Sequence, residues 1–245
     1  MKILLCGKGG CGKSTLATLM ARSCASKGQN VLVVDTDESN YGLHRQLGLD
    51  LPEDLTHYFG GKKGAYKRYD ETGRVFTDKW SISDIPPEFR SGTDGLHLVA
   101  VGKIAEAGEG CACGIGFTAR EFLSNLELGV RDTVIIDTEA GVEHFGRGLD
   151  KCADIIFMVV DPSYESIRLS EKVSDMGRAF GKPVYLIINR ADDDQTQMIR
   201  ESLRDKDAVI ATVPADKSIM EAGLKGEPLQ ADVPEVEIIV DKLLV

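Results

Sequence analysis

The chain has 245 residues, 42% hydrophobic and 28% charged, with 29 Lys and Arg against 39 Asp and Glu for a net charge of −10. That is an ordinary soluble balance, long enough for one large α/β domain over residues 1–245, and too acidic for a largely electrostatic duplex-DNA binder, which needs a basic face to displace counterions. Met1–Cys6 is too short an apolar run for a secretory leader and no run approaches the roughly 18 apolar residues of a membrane span, so a cytoplasmic protein with neither nucleic-acid nor membrane partner is expected.

Short apolar runs recur along the chain, mostly rich in Val and Ile: Ile3–Cys6, Val31–Val34, Leu96–Val101, Val134–Ile136, Ile155–Val160, Val184–Ile188 and Val209–Val213. Continuous rather than alternating apolarity predicts strands covered on both faces, as in a parallel sheet. Helical patterns lie between them. Leu16, Leu19, Met20, Ser23 and Cys24 share one face of a helix ending near Lys27-Gly28, Ser163–Phe180 reads as a second, and Val236, Ile239, Val240, Leu243 and Leu244 stripe a last helix after Pro234. Alternating β and α predicts an α/β, doubly wound, mostly parallel sheet of about seven strands, the P-loop NTPase arrangement, with ligands beyond the carboxyl ends of the strands. Leu51–Gly95, with Gly60-Gly61, Pro86-Pro87 and Trp80, reads as helical pieces joined by loops over one end of the sheet.

Gly7-Lys8-Gly9-Gly10-Cys11-Gly12-Lys13-Ser14 fits G-x-x-x-x-G-K-[ST] between a predicted strand and a predicted helix, followed by Thr15. Glycines let the backbone wrap phosphates, and the helix adds its positive end. Lys13 is expected to neutralise β/γ-phosphate charge and the Ser14 hydroxyl to coordinate Mg²⁺. Cys11 lies near a helix N-terminus and two lysines, an environment that lowers a thiol pKa, although a small residue that simply fits is the better reading.

With Lys8, the loop resembles the deviant Walker A of the MinD/ParA/nitrogenase-iron-protein superfamily. The resemblance implies that Lys8 reaches across a homodimer interface to the partner's nucleotide, like an arginine finger supplied in trans. It implies that Asp35 holds a Mg²⁺-bound water and that Asp37 orients the attacking water. Val134-Ile135-Ile136-Asp137-Thr138-Glu139-Ala140-Gly141 reads as Walker B and switch II, with Asp137 in the Mg²⁺ shell. In the same superfamily an asparagine matching Asn189 reads the adenine edge; Arg190 follows it, and Pro214 in Val213-Pro214-Ala215-Asp216 would pass the base. No Thr/Asn-Lys-x-Asp guanine motif occurs, which favours ATP and ADP over guanine nucleotides.

Gly110-Cys111-Ala112-Cys113-Gly114 brings two thiols within one residue of each other. One chain supplies two soft ligands, and a two-fold dimer would complete Cys₄; spacing alone leaves a metal site and two unremarkable loop thiols equally open. Residues 107–113 (Ala-Gly-Glu-Gly-Cys-Ala-Cys), Asp137–Gly148 and Val160-Asp-Pro-Ser-Tyr-Glu-Ser-Ile167 resemble the CooC family, ATPases that mature nickel-containing carbon monoxide dehydrogenase, with relatives serving acetyl-CoA synthase. The resemblance runs from residue 1 to about 220 and is thinnest over Leu51–Gly95. It implies a homodimer with Cys111 and Cys113 of both copies on one Ni²⁺ or Zn²⁺, and the dehydrogenase as client.

Two other readings remain at this level. A nitrogenase-reductase-like electron carrier could hold an iron–sulfur cluster on four cysteines, but that family's ligand cysteines lie far apart in sequence. A MinD/ParA-type positioning ATPase would need a basic amphipathic C-terminal helix for membranes, whereas Glu235, Glu237 and Asp241 outnumber Lys242. His144 reads as a packing or hydrogen-bonding histidine, His44, His57 and His97 show no ligand spacing, and Cys6, Cys24 and Cys152 read as core residues.

Overall fold

The computed structural model describes residues 1–104, 113–142 and 148–244, with the backbone alone at Cys113. Eight strands form one sheet: β1 (Lys2–Gly7), β2 (Asn30–Asp35), β3 (Ser91–Thr93), β4 (Leu96–Ala100), β5 (Asp132–Asp137), β6 (Ile155–Val160), β7 (Val184–Asn189) and β8 (Val209–Val213). Their order is β3-β4-β2-β5-β1-β6-β7-β8, parallel throughout except for the β3–β4 pair.

The seven expected strands are all present, and β3 corrects the count to eight. It is a short edge strand folded back on β4 through Asp94-Gly95, whose φ angles of 55° and 81° suit a tight hairpin turn. Asp-Gly beside an apolar run is a recognised hairpin signal, but three residues are too few to show an alternating pattern.

The helices are α1 (Lys13–Ser26), α2 (Leu43–Leu47), α3 (Gly61–Thr72), α4 (Cys113–Asn125), α5 (Tyr164–Ala179), α6 (Asp193–Ser202), α7 (Lys217–Lys225) and α8 (Pro234–Leu243). Ends follow local chemistry. The Ser163 hydroxyl accepts from Ser166 N–H to cap α5, Asp192 and Gln195 form a capping box on α6, and Pro234 opens α8, where its missing N–H costs nothing.

Period-two alternation divides the strand residues between two cores. Leu4, Cys6, Leu32, Val34, Val134, Ile136 and Met158 face α4, α5 and the aromatic side chains Phe76, Trp80 and Phe89. Ile3, Leu5, Val31, Val33, Ile135, Phe157 and Val159 face α1 and α8 through Leu16, Met20, Cys24, Ile239 and Val240. Leu51–Gly95 holds α3, short 3-10 turns and β3; Phe76 and Trp80 pack edge-on against each other and both meet Phe122 of α4. Cys6 and Cys24 are core residues as expected, while Cys152 is half-buried, with its sulfur 3.2 Å from Ser124 Oγ. Lys27 clasps Glu237 and Asp241 of α8 at 2.8 Å each, so the last helix packs on α1. No described helix is long and apolar enough to cross a membrane.

This topology sends β1, β2, β4, β5, β6, β7 and β8 to one carboxyl edge. Gly7, Asp35, Asp137, Asn189 and Val213 therefore end their strands together, where β1 separates β5 from β6.

Candidate nucleotide site

Between the end of β1 and the start of α1 the chain turns sharply, and at its two ends, Gly7 and Gly12, there is no room for a side chain. A Cβ on Gly7 would sit 2.7 Å from Val159 O and 2.8 Å from Cys11 Sγ. Gly12 has φ 100°, and a Cβ there would lie 2.3 Å from Asn189 Nδ2. Gly12 opens α1 with no side-chain cap, which leaves the first helical amides for an anion. Gly9 and Gly10 form the exposed crest of the loop, and Thr15 follows in the first turn of α1.

Lys13 is buried and folds back over this loop, donating to Gly7 O and Lys8 O at 3.2 Å each. Ser14 Oγ donates to Asp137 Oδ2 at 2.6 Å and accepts from Asn40 Nδ2 at 2.8 Å. Asp137 is fully buried, and its Oδ1 has no hydrogen-bond partner among the described residues. Burial pushes its carboxyl up to about 6, with the Ser14 hydrogen bond and the Lys13 charge opposing. A hydroxyl and a carboxylate oxygen beside the loop lysine make a hard oxygen donor set, which fits Mg²⁺.

Asp35 is placed differently. Its Oδ2 meets Lys103 Nζ at 2.6 Å, and its Oδ1 accepts from Asp37 N–H at 3.1 Å. Burial raises this carboxyl above its ordinary range, and the adjacent ammonium opposes the rise. The expectation that Asp35 holds a metal-bound water thus meets a carboxylate with both oxygens engaged inside the protein. Asp37 takes up a turn, its Oδ1 accepting from the Ser39 amide and hydroxyl at 2.9 and 2.7 Å. The segment after β5 lies against the loop, because Gly141 N–H donates to Gly7 O at 3.1 Å and the Thr138 hydroxyl to Leu5 O at 2.7 Å.

Asn189 and Arg190 brace the phosphate loop from β7. Asn189 Nδ2 donates to Cys11 O at 2.7 Å, and Arg190 Nη1 to Gly10 O at 2.9 Å. The amide nitrogen expected at adenine is therefore spent on the loop backbone. Arg190 has φ 57° and donates its N–H to Val213 O, which brings exposed Pro214 alongside. Cys11 is wholly buried, and burial raises its thiol pKa against the pull of Lys13, which corrects the expectation of a lowered one. A low dielectric disfavours the thiolate more than two nearby cations favour it.

Lys8 rests against its own protomer. Its Nζ lies 3.3 Å from Ser163 Oγ, 3.7 Å from Asp161 and 3.9 Å from Glu165, at the start of α5. Cys111 and His144 lie outside the described residues, and Cys113 opens α4. Among the described residues no group of three or more His, Cys, Asp or Glu could hold a metal ion.

Sequence reasoning did not assign Asn40, Lys103 or the Lys8 partners Asp161, Ser163 and Glu165. Lys103 follows the apolar run Leu96–Val101, and a lysine at a buried strand end is the one signal that could have marked it.

Residues 3–229 match the CobQ/CobB/MinD/ParA nucleotide binding domain. The chain is 48% identical to an uncharacterized ATP-binding protein of Methanocaldococcus jannaschii, over 99% of both chains. It is 30% identical to the carbon monoxide dehydrogenase accessory protein CooC of Rhodospirillum rubrum, over 92% of this chain and 88% of that one. Its fold is similar to that of the septum site-determining protein MinD from Pyrococcus horikoshii, solved with Mg-ADP. The TM-score is 0.72 at 16% identity, covering 99% of this chain and 95% of that one. The chain belongs to the CobQ/CobB/MinD/ParA nucleotide-binding family and is an ATP hydrolase of it.

Proposed function

We propose that the protein is a homodimeric metal-insertion accessory ATPase, one domain over residues 1–245. In this reading it couples ATP binding and hydrolysis to delivery of nickel into the Ni–Fe–S cluster of carbon monoxide dehydrogenase, or of acetyl-CoA synthase. The observation that carries the reading is Gly110-Cys111-Ala112-Cys113-Gly114, in a chain 30% identical to CooC over 92% of its length. Two copies supply four thiolates, a donor set suited to Ni²⁺ or Zn²⁺ as cargo.

In this reading Gly9–Thr15 wrap the phosphates of ATP or ADP, with Lys13 neutralising their charge. Ser14 and Asp137 would hold Mg²⁺, which their oxygens fit; when bound it would supply positive charge against the phosphates. Asp37 orients the attacking water, and Asp35 stands behind it in the metal's surroundings through its contact with the Asp37 amide. Asn189, Arg190 and Pro214 border the base. Lys8 leaves Asp161, Ser163 and Glu165 to reach the partner's nucleotide, exchanging three weak contacts for phosphate charge. Closure of the dimer brings the two cysteine pairs together, so metal and nucleotide affinities are linked reciprocally.

A positioning role on a membrane finds less support. The apolar residues Val236, Ile239 and Val240 of α8 are buried, which leaves that face of the helix no lipid to meet.

The test is metal content and solution mass, with ADP and with a non-hydrolysable ATP analogue, for the native chain and Cys111→Ser/Cys113→Ser. One metal per two chains, lost in the double variant, is expected. A metal-free monomer in every nucleotide state would remove the metal mechanism and leave the ATPase standing. A broad visible absorption band would favour an iron–sulfur cluster instead.

A further inference from the structure

Lys103 leaves β4 at the carboxyl edge with 4% of its side chain exposed. All three ammonium protons have acceptors: Asp35 Oδ2 at 2.6 Å, Asp37 O at 2.6 Å, and Asn40 O. The Tyr41 ring lies 5.9 Å away. Its own backbone is held too, with the amide on Asp54 Oδ2 at 2.8 Å and the carbonyl on Lys62 Nζ. Ile104 continues the lacing, its N–H on Glu38 O at 3.0 Å and its carbonyl accepting from Tyr41 O–H at 2.8 Å.

A counter-ion for Asp35 needs one of these contacts. The other two fall on backbone carbonyls of one short loop, and they set the shape of that loop. From it Asn40 sends its amide to the Ser14 hydroxyl, whose proton goes to Asp137. A hydroxyl has one donor and two lone pairs. With the proton on Asp137 and one lone pair on Asn40, a single lone pair is left for a divalent cation, in a fixed direction.

We propose that Lys103 is a positioning residue for the ATPase reaction: by bridging Asp37 and Asn40 it holds the loop that aims Asn40 at Ser14, and Asn40 sets the Ser14 hydroxyl for Mg²⁺. The inference needs the ATPase activity and not the nickel reading. Lys103 acts through Asn40 and touches no nucleotide.

Removing Lys103 alone strands a buried carboxylate, so the informative comparison is Asp35→Asn against Asp35→Asn/Lys103→Met, in which both partners are neutral. The readouts are kcat and KM for ATP, the Mg²⁺ concentration for half-maximal rate, and Mg²⁺-dependent binding of a fluorescent ADP analogue. Adding Lys103→Met to Asp35→Asn lowers kcat a further roughly tenfold or more at similar KM, as a misplaced group does, and raises the Mg²⁺ requirement. Asn40→Ala, which also releases the Gly42 amide from Asn40 Oδ1, reproduces the Mg²⁺ shift in a chain that still unfolds cooperatively. A double variant equal to Asp35→Asn in kcat and Mg²⁺ dependence would reduce Lys103 to a counter-ion and overturn the proposal. An unshifted Mg²⁺ requirement in Asn40→Ala would break the relay to Ser14.

Discussion

Asp35 and Asp137 end neighbouring strands and are paired directly in the register of β2 and β5, yet their surroundings give them opposite characters. Both are buried. Asp35 faces an ammonium and an amide, so its two oxygens are occupied and its charge is matched. Asp137 faces a neutral hydroxyl on one oxygen and nothing from the described protein on the other. The same residue type at the same strand position has both oxygens engaged in one case and one oxygen left open in the other. The group that each meets decides this: Lys103 arriving from β4, or Ser14 from the phosphate loop.

The largest expected effect tests the locked partner. Asp35→Ala leaves Lys103 as an unpaired buried cation and should cost about 3–5 kcal/mol in urea unfolding. A cost near zero would mean that water reaches the ammonium and that the pair is not closed. The poised partner should respond in activity rather than stability. Asp137→Asn keeps the shape but loses the anion, and losing several kcal/mol of charge stabilisation predicts a fall in kcat of about a hundredfold or more. An unaltered kcat would place the cation elsewhere.

A pH series sharpens the contrast without touching catalysis. The Asp137 carboxyl is raised from 3.8 to about 6 in the fold. Between those values the folded chain keeps a proton on Asp137 that the unfolded chain has released, so the Asp137 contribution to metal-free stability falls as pH rises through this window and levels off above about 6, while Asp35, raised to about 7, acts equally in the native and Asp137→Asn chains. The difference between native and Asp137→Asn across the window should be on the order of 3 kcal/mol at most, since one pKa unit is about 1.4 kcal/mol. No difference would mean that the carboxylate is already solvated. The smallest effect concerns the loop that Asp137 faces. Asn189→Ala removes a buried donor from Cys11 O and should cost about 1–3 kcal/mol, with weaker ADP binding. Weaker binding at full stability would instead point to a direct role at the base.

Signals confined to a few consecutive residues were readable in advance. The phosphate loop was visible because glycines at positions 7 and 12 answer to backbone geometry, and the seven long strands because two-sided burial demands continuous apolar runs. Cys11 is the small fitted residue preferred from the sequence, but the direction of its thiol shift was not readable, since proximity to Lys8 and Lys13 in sequence says nothing of how deeply the thiol is buried. β3 escaped because three residues carry no period. The aromatic packing of Leu51–Gly95 escaped because Phe76, Trp80 and Phe122 meet only after α4 is laid on the sheet.

By itself the sequence determined the glycine-rich loop between β1 and α1, the α/β alternation and the strand ends that carry Asp35, Asp137 and Asn189, because these follow from local steric and hydrophobic patterns. Only the tertiary structure decided which acid is paired with Lys103, that Asn189 braces Cys11, that Asn40 reaches Ser14 and that Lys8 rests on the start of α5. Those contacts join residues far apart in the chain, and their energies depend on burial, which exists only once the sheet and its two helical layers have closed.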